Sequence, residues 1–381
     1  MRFPAKSSSS RQAPIALLPA LLGCGLLVAC NFPTNDGANV GSKGLWVANG
    51  TNVVEYNPTQ LGSGTSATAP HVSINSAAFG TPQGVAFDPS GNLWVLDPAS
   101  MVNGAATPAL LEFSAAQLAA LATDNAPEPV AIITSTFLKT PRQAVIDALG
   151  NAWITDPASN AVLVYAAAQL MQTGTNAIAP VVLISSGQFS GPSGIAFDSS
   201  GDLWISNNGV PATAADQFGG GTTIVEITAA HVPALPETGT STPQLVSDVT
   251  LSDAGQVTIQ SPWALAFDPL SGNLWSSNTA TSTLVGFGKG SLVTGAPAAA
   301  ATVSSTTVNA DATLNQPHGI CFDDVGNLAA IDEAGGTKAF AIAVFGPGQL
   351  ATGSPAPSAF IVGDATTLNA PEGCAFGPTV N

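Results

Sequence analysis

Basic residues are scarce in this sequence: eight Lys and Arg stand against 24 Asp and Glu in 381 residues, a formal charge of −16. Neutralising phosphates takes clustered Lys and Arg, and no such cluster occurs, which excludes nucleic acid as a partner. Charge of either sign is thin at 8% of residues, whereas 45% are apolar, the opposite of a disordered chain. Long apolar runs are missing too: the uncharged, mostly apolar run near the N-terminus, Ile15 to Ala29, is shorter than the roughly 20 residues that span a bilayer as a helix, and nothing later offers a longer one. No Gly-x-Ser-x-Gly elbow and no cysteine in a recognisable catalytic context supports nucleophilic catalysis. Gly219-Gly220-Gly221 lacks the Lys that follows in a phosphate loop and reads as a flexible loop in the insertion from Gly209 to Thr222, in place to act as a lid. What is abundant is 39 Gly and 29 Pro, the composition of many short strands joined by turns.

The N-terminus reads as an address. Arg2, Lys6 and Arg11 precede the apolar run without an acid, the pattern of a signal peptide over residues 1–29. The run ends Leu27-Val28-Ala29-Cys30, which resembles the lipobox of bacterial lipoproteins. The resemblance implies lipidation at Cys30, with the acyl chains holding the protein at a membrane. Asn31 in place of Asp implies the outer membrane where the host has one. Cleavage leaves five basic against 24 acidic residues. Residues 30–43 then form a lipidated tether rich in Gly and Asn, and the expected location is exported, in the periplasm or at the cell surface.

The remainder, 44–381, is one repeat. Pro82-Gln83-Gly84-Val85-Ala86-Phe87-Asp88 followed by Gly91-Asn92-Leu93-Trp94-Val95-Leu96-Asp97 recurs, with decay, from Pro141, Pro192, Pro262 and Pro317. The sixth copy is split: its first strand, from Pro371, lies at the C-terminus, and its second, Gly44 to Asn49, at the N-terminus. A second register runs in parallel, with Gln-Leu-like pairs from Gln60-Leu61 to Gln349-Leu350. Four short strands per unit, repeated six times and closed by both termini, predict an all-β, six-bladed β-propeller of four-stranded antiparallel blades. Trp46, Trp94, Trp153, Trp204 and Trp275 share one repeat position and are expected in the core between blades. The Asp after Phe in the motif (Asp88, Asp198, Asp268, Asp323, with Asp147 after Ile) is expected to hydrogen-bond its own turn.

The Pro-x-Gly-x-Ala-Phe-Asp and Gly-Asn-Leu-Trp-Val pattern resembles NHL-repeat propellers and, more loosely, calcium-dependent six-bladed lactonases and streptogramin lyases. That fold hosts hydrolases, lyases and pure binding modules, so function must be read from the site.

The x positions, Gln83, Arg142, Ser193, Trp263, His318 and Glu372, are expected to ring one mouth of the channel as ligand-binding residues. A second ring, Asn49, Asp97, Asp156, Asn207, Asn278 and Asp332, ends the second strands and is expected to cap turns. Hard cations such as Ca²⁺ take six to eight oxygens, and Glu372 with Asp97 and Asn49 forms a candidate divalent-metal set. The resembled lactonases carry Glu, Asn and Asp at the x positions; here Glu372 alone matches. The resembled lyases use a His as base in the same motif, with a Glu on a metal. That resemblance makes His318 a candidate general base, with Asp332 or Glu333 beside it and Arg142 orienting an anionic ligand. Trp263 is placed to stack on a ring or sugar. Cys321 and Cys374 lie on inner strands of blades that are neighbours in a ring, and in an oxidising compartment a disulfide across the closure is open to them. Two readings follow: a lipid-anchored, monomeric envelope module that binds a protein, peptide or glycan, and a metal-dependent hydrolase or lyase at the channel mouth.

Overall fold

Each copy of the repeat folds into a pair of hairpins, because its Gly-containing turns separate strands whose residues are apolar on both faces. Residues 43–380 are described in the computed structural model, apart from 63, 210–218, 237–238, 254, 256–257, 309–310 and 333–339. The leader, Cys30 and the tether, Glu333 and most of the Gly209–Thr222 insertion lie outside the described residues. Among the described residues no helix is long and apolar enough to cross a membrane.

Six four-stranded antiparallel blades form the ring. From the channel outward, blade 1 is Pro371–Gly377, Gly44–Asn49, Asn52–Tyr56 and Val72–Ile74. Blade 2 is Gly84–Phe87, Leu93–Val102, Ala105–Phe113 and Ala131–Thr134. Blade 3 is Ala144–Ile146, Ala152–Asp156, Ala161–Tyr165 and Val182–Ser185. Blade 4 is Pro192–Phe197, Leu203–Gly209, Gly220–Ile227 and Val249–Ser252. Blade 5 is Pro262–Phe267, Leu274–Asn278, Thr283–Phe287 and Ala301–Ser304. Blade 6 is Pro317–Phe322, Leu328–Asp332, Ala341–Phe345 and Ala359–Val362. The split copy closes the circle: Leu45 pairs with Phe376, Val47 with Cys374 and Asn49 with Pro371.

Both faces of each blade are buried because each blade packs between two others, and six apolar clusters fill the six spaces between them. The repeat tryptophans are at most 3% exposed, as expected of core residues. Three of them meet the motif Phe of the following blade edge-on, Trp46 on Phe87, Trp153 on Phe197 and Trp204 on Phe267, the geometry favoured by the quadrupoles of the two rings. The motif Asp caps its turn as its position implies: Asp147 accepts from the backbone of Leu149 and Asn151, from the Asn151 amide, and from Trp153 Nε1. The Gln of the second register is a cap as well. Gln117 accepts from the Ser114 backbone and donates to Glu128 O, and Gln60, Gln169 and Gln349 repeat the pattern.

The outer edges are covered in a way the repeat does not advertise. In every blade the segment between the third and fourth strands reaches to the outermost strand of the blade before it. Gly64–Ser66 and Gly174–Ala177 do so as parallel fifth strands on blades 6 and 2. Ser241 and Gln244, Gly295 and Gly353 form parallel bridges to blades 3, 4 and 5, and Asn125 O accepts from Asn75 N on blade 1. An unpaired sheet edge is a template for aggregation, and these straps occupy it.

Candidate functional site at the channel mouth

A recurring backbone irregularity aims the x residues at the channel. In blades 1, 4, 5 and 6 the motif Pro pairs with the Asn or Asp ending the second strand: Pro371 with Asn49, Pro192 with Asn207, Pro262 with Asn278, Pro317 with Asp332. Regular pairing resumes three residues later on the inner strand but only two on its partner. The x residue and the one after it, Gly in blades 1, 4 and 6 and Ala264 in blade 5, thus form a β-bulge, a device that turns a side chain out of the ladder. Glycine follows x because the inner strands converge there: a Cβ on Gly84 would lie 2.4 Å from Arg142 O, one on Gly319 2.4 Å from Glu372 O, and one on Gly373 2.5 Å from Gln83 O.

Five of the x residues, Gln83, Arg142, Ser193, Trp263 and Glu372, line one cavity of about 20 Å³, with the sixth, His318, stacked against it. Trp263 is sandwiched. The His318 ring lies parallel to it at 3.8 Å, and the Arg142 guanidinium covers Trp263 with its carbon 3.7 Å from the ring centre. His318, only 3% exposed, pairs through Nδ1 with Glu372 Oε2 at 2.7 Å. Arg142 Nη1 reaches Ser193 Oγ at 3.5 Å. The chain Ser193–Arg142–Trp263–His318–Glu372 therefore crosses the mouth through blades 4, 3, 5, 6 and 1, coupling a cation to an aromatic face and a carboxylate to an imidazole.

Gln143 is a further mouth residue that the motif did not single out. It stands where four of the other copies have Gly and one has Ala264, accepts from Ile195 N at 3.1 Å and donates to Leu265 O at 3.3 Å, tying blade 3 to blades 4 and 5. Its departure from the repeat was the available signal. Hydroxyls lace the same half of the ring: Thr155, Ser206 and Ser277 donate to the carbonyls of Ser193, Trp263 and His318 on the following blade.

The second ring caps loops. Asp97 accepts from the backbone of Gly80, Thr81 and Ala99, Asp156 from Lys139, Thr140 and Ser159, and Asn207 from Ser190. Asn278 accepts from Gln260 and donates to Thr258 O, and Asn49 accepts from Asn369 while donating to Asn52 and Thr367. Asp97 and Asn49 thus direct their side chains to their own loops, whereas Glu372 faces His318 from the other ring. Among the described residues no group of three or more His, Cys, Asp and Glu is arranged to hold a metal ion.

The expected partnership of His318 with Asp332 is not the one formed. The bulge turns His318 into the channel toward Glu372. Asp332, at the strand end, bends over the incoming loop and accepts from Asn315 N at 2.6 Å. Its other oxygen is buried without a hydrogen bond, and burial pushes its carboxyl well above the usual range. The expected stacking of a sugar on Trp263 meets the same kind of obstacle, since Arg142 and His318 cover its two faces. Cys321 and Cys374 are joined by a disulfide between the inner strands of blades 6 and 1, with 6.0 Å between their Cα atoms.

No protein-family model matches the chain, and no curated protein was found similar to it. Among solved structures, a protein of unknown function from Bacteroides caccae is similar with a TM-score of 0.52 at 10% identity, over 89% of this chain and 100% of that one. A proposed 6-phosphogluconolactonase of Bacteroides fragilis gives 0.51 at 12% identity, over 90% and 99%. A streptogramin B lyase gives 0.42 at 15% identity, over 78% and 76%. At such identities the likeness is one of propeller fold.

Proposed function

We propose that this chain is an exported binding module, held at the cell envelope through a lipidated Cys30, whose channel mouth captures a protein or peptide. The observation that carries this reading is the locked mouth. Its cavity of about 20 Å³ has room for little more than a water molecule, far below the several hundred Å³ of small-molecule pockets. What it offers a partner is a rim of half-buried Gln83, Arg142, Trp263 and Glu372. Arg and Trp that are already ordered are the residue types that dominate binding energy in protein interfaces, since little entropy remains to be lost. A peptide suits this rim better than a glycan, because a sugar would have to displace Arg142 before stacking on Trp263.

Photo-crosslinking in the native envelope tests the reading. A photoreactive residue at Gln83 should trap a discrete protein or peptide, the same residue at Ser200 on the far face should not, and Trp263→Ala should abolish the product. A mouth that traps nothing while the purified domain turns over lactones or other esters would overturn it. Cys30→Ser should move the protein from the membrane to the soluble fraction.

One observation favours a second reading, a hydrolase or lyase: a buried imidazole oriented by a carboxylate is how a general base is held. Thermal unfolding with Ca²⁺, Mg²⁺, Zn²⁺ or EDTA separates the two. A cation-dependent rise that is lost in Glu372→Ala would favour the metal-dependent enzyme, since a ligand of the native state must stabilise it.

A further inference from the structure

The seams between inner strands are not joined alike. At the position where Thr155, Ser206 and Ser277 bridge blades 3 to 4, 4 to 5 and 5 to 6, the other blades carry Ile331, Ala48 and Leu96, which have no hydroxyl to donate. The seam from blade 6 to blade 1 is crossed instead by two other links close in sequence. His318 bonds Glu372, and Cys321, three residues along the same strand, is joined to Cys374, two residues beyond Glu372. Blade 1 is the blade whose inner strand, Pro371–Gly377, is the end of the chain. Like the inner strand of every blade it pairs with one neighbour in its sheet, but here that neighbour, Gly44–Asn49, is more than 300 residues away in sequence and not the next strand of a hairpin. Glu372, the one acid among the x residues, rides on it.

We propose that the Cys321–Cys374 disulfide is a redox-controlled positioning device: it holds the terminal strand in the register that keeps Glu372 on His318, and its reduction releases that pair and the stack built on it. Cys374 is partly buried but lines the mouth cavity, whereas Cys321 is buried at 9% exposed and does not, so the bond is approached from the channel side at Cys374. The electron donor is a small dithiol. One of its thiolates attacks a sulfur of the bond, giving a mixed disulfide, and its second thiol resolves that intermediate. The S–S bond becomes two S–H groups while the dithiol becomes a cyclic disulfide, two electrons and two protons passing to the protein. The mouth is then intact only where the compartment is oxidising enough to keep the bond closed, which suits an exported protein. Cys321 and Cys374 act through Glu372 and are positioning residues.

The test reads the pair itself. In the oxidised chain the His318 Nδ1 proton, identified by its loss in His318→Gln, should be slow to exchange with solvent. Reduction with dithiothreitol, or the double change Cys321→Ser with Cys374→Ser, should speed its exchange about tenfold or more, as loss of a charge-assisted hydrogen bond implies. Thr155→Val, which weakens the seam between blades 3 and 4 and touches neither His318 nor Glu372, should leave the exchange rate nearly unchanged. A double-mutant cycle provides the second readout: Glu372→Gln should lower the unfolding temperature of the oxidised protein and have little further effect on the reduced one. Equal effects of Glu372→Gln in both redox states, or an unchanged exchange rate on reduction, would overturn the proposal. So would reduction that unfolds the whole ring, because the bond would then be a staple of the fold and not a device of the mouth.

Discussion

Glu226 allows a pH-dependent stability to be worked from the structure. It lies opposite Trp204 in the ladder of blade 4 and is 6% exposed. Burial, reinforced by the negative charges of Asp202, Asp198 and Asp248, pushes its carboxyl up to about 7 from an ordinary 4.5. An acid with a raised folded value is held protonated by the fold. The stability it contributes is complete below the ordinary value and is lost as pH climbs through about 7. A tenfold change in proton affinity corresponds to about 1.36 kcal/mol, so the full loss would be about 3.4 kcal/mol. The neighbouring charges lie nearer solvent, Asp248 exposed and Asp198 and Asp202 partly so, and are screened there, so about 1 kcal/mol is the realistic figure. Glu226→Gln keeps the shape and removes the titration. It should leave the unfolding temperature nearly unchanged at about pH 5 and raise it by roughly 2 °C at about pH 8. Scanning calorimetry of the two proteins across that range, at fixed ionic strength, measures the difference directly. A variant that is no more stable than the parent at the alkaline end, or that gains equally at both ends, would refute the reasoning.

Glu112 on blade 2, also pushed up to about 7 by burial and by Asp88, should behave in the same way, so Glu112→Gln added to Glu226→Gln should flatten the pH profile further. Gly373→Ala places a Cβ 2.5 Å from Gln83 O and 3.0 Å from Gly84 Cα; backbone on that side cannot yield cheaply, and a loss of about 2 kcal/mol or more is expected in a urea melt. Trp153→Phe should cost about 1–2 kcal/mol more than Trp204→Phe, because Trp153 Nε1 donates to Asp147 at 3.0 Å whereas Trp204 Nε1 is buried without a partner. Equal costs for the two tryptophans would show that the indole–carboxylate bond adds nothing.

Much of the architecture was legible because a repeat constrains itself. Six copies of one hairpin, with the sixth divided between the termini, admit few arrangements other than a closed ring, and the tryptophans and turn aspartates carry the same duty in each copy. The mouth was legible as a set of positions and illegible as a set of contacts. Arg142 and Trp263 are far apart in sequence and three blades contribute to their stack with His318, so no local spacing encodes it; the circle brings them together. Asp332 was drawn toward His318 by hairpin proximity, but the bulge that faces the His into the channel is a property of backbone pairing that residue types alone do not reveal. Gln143 was visible as a break in the repeat, though its reach to Leu265 was not. The straps were hidden because parallel bridges of one or two residues need no recognisable pattern.

Those straps bear on how the chain can reach its native state. No blade is completed by its own sequence: the outer edge of blade 1 waits for residue 125, that of blade 2 for 174–177, and so on round to blade 6, whose edge is closed by Gly64–Ser66 from near the start of the ring. A linear repeat array can nucleate in one unit and fray from either end. With the Cys321–Cys374 bond closed this ring has no end from which to fray, so the N-terminal hairpins must wait, incomplete, until the last strand has arrived, and the oxidised molecule should gain and lose its structure as a single unit.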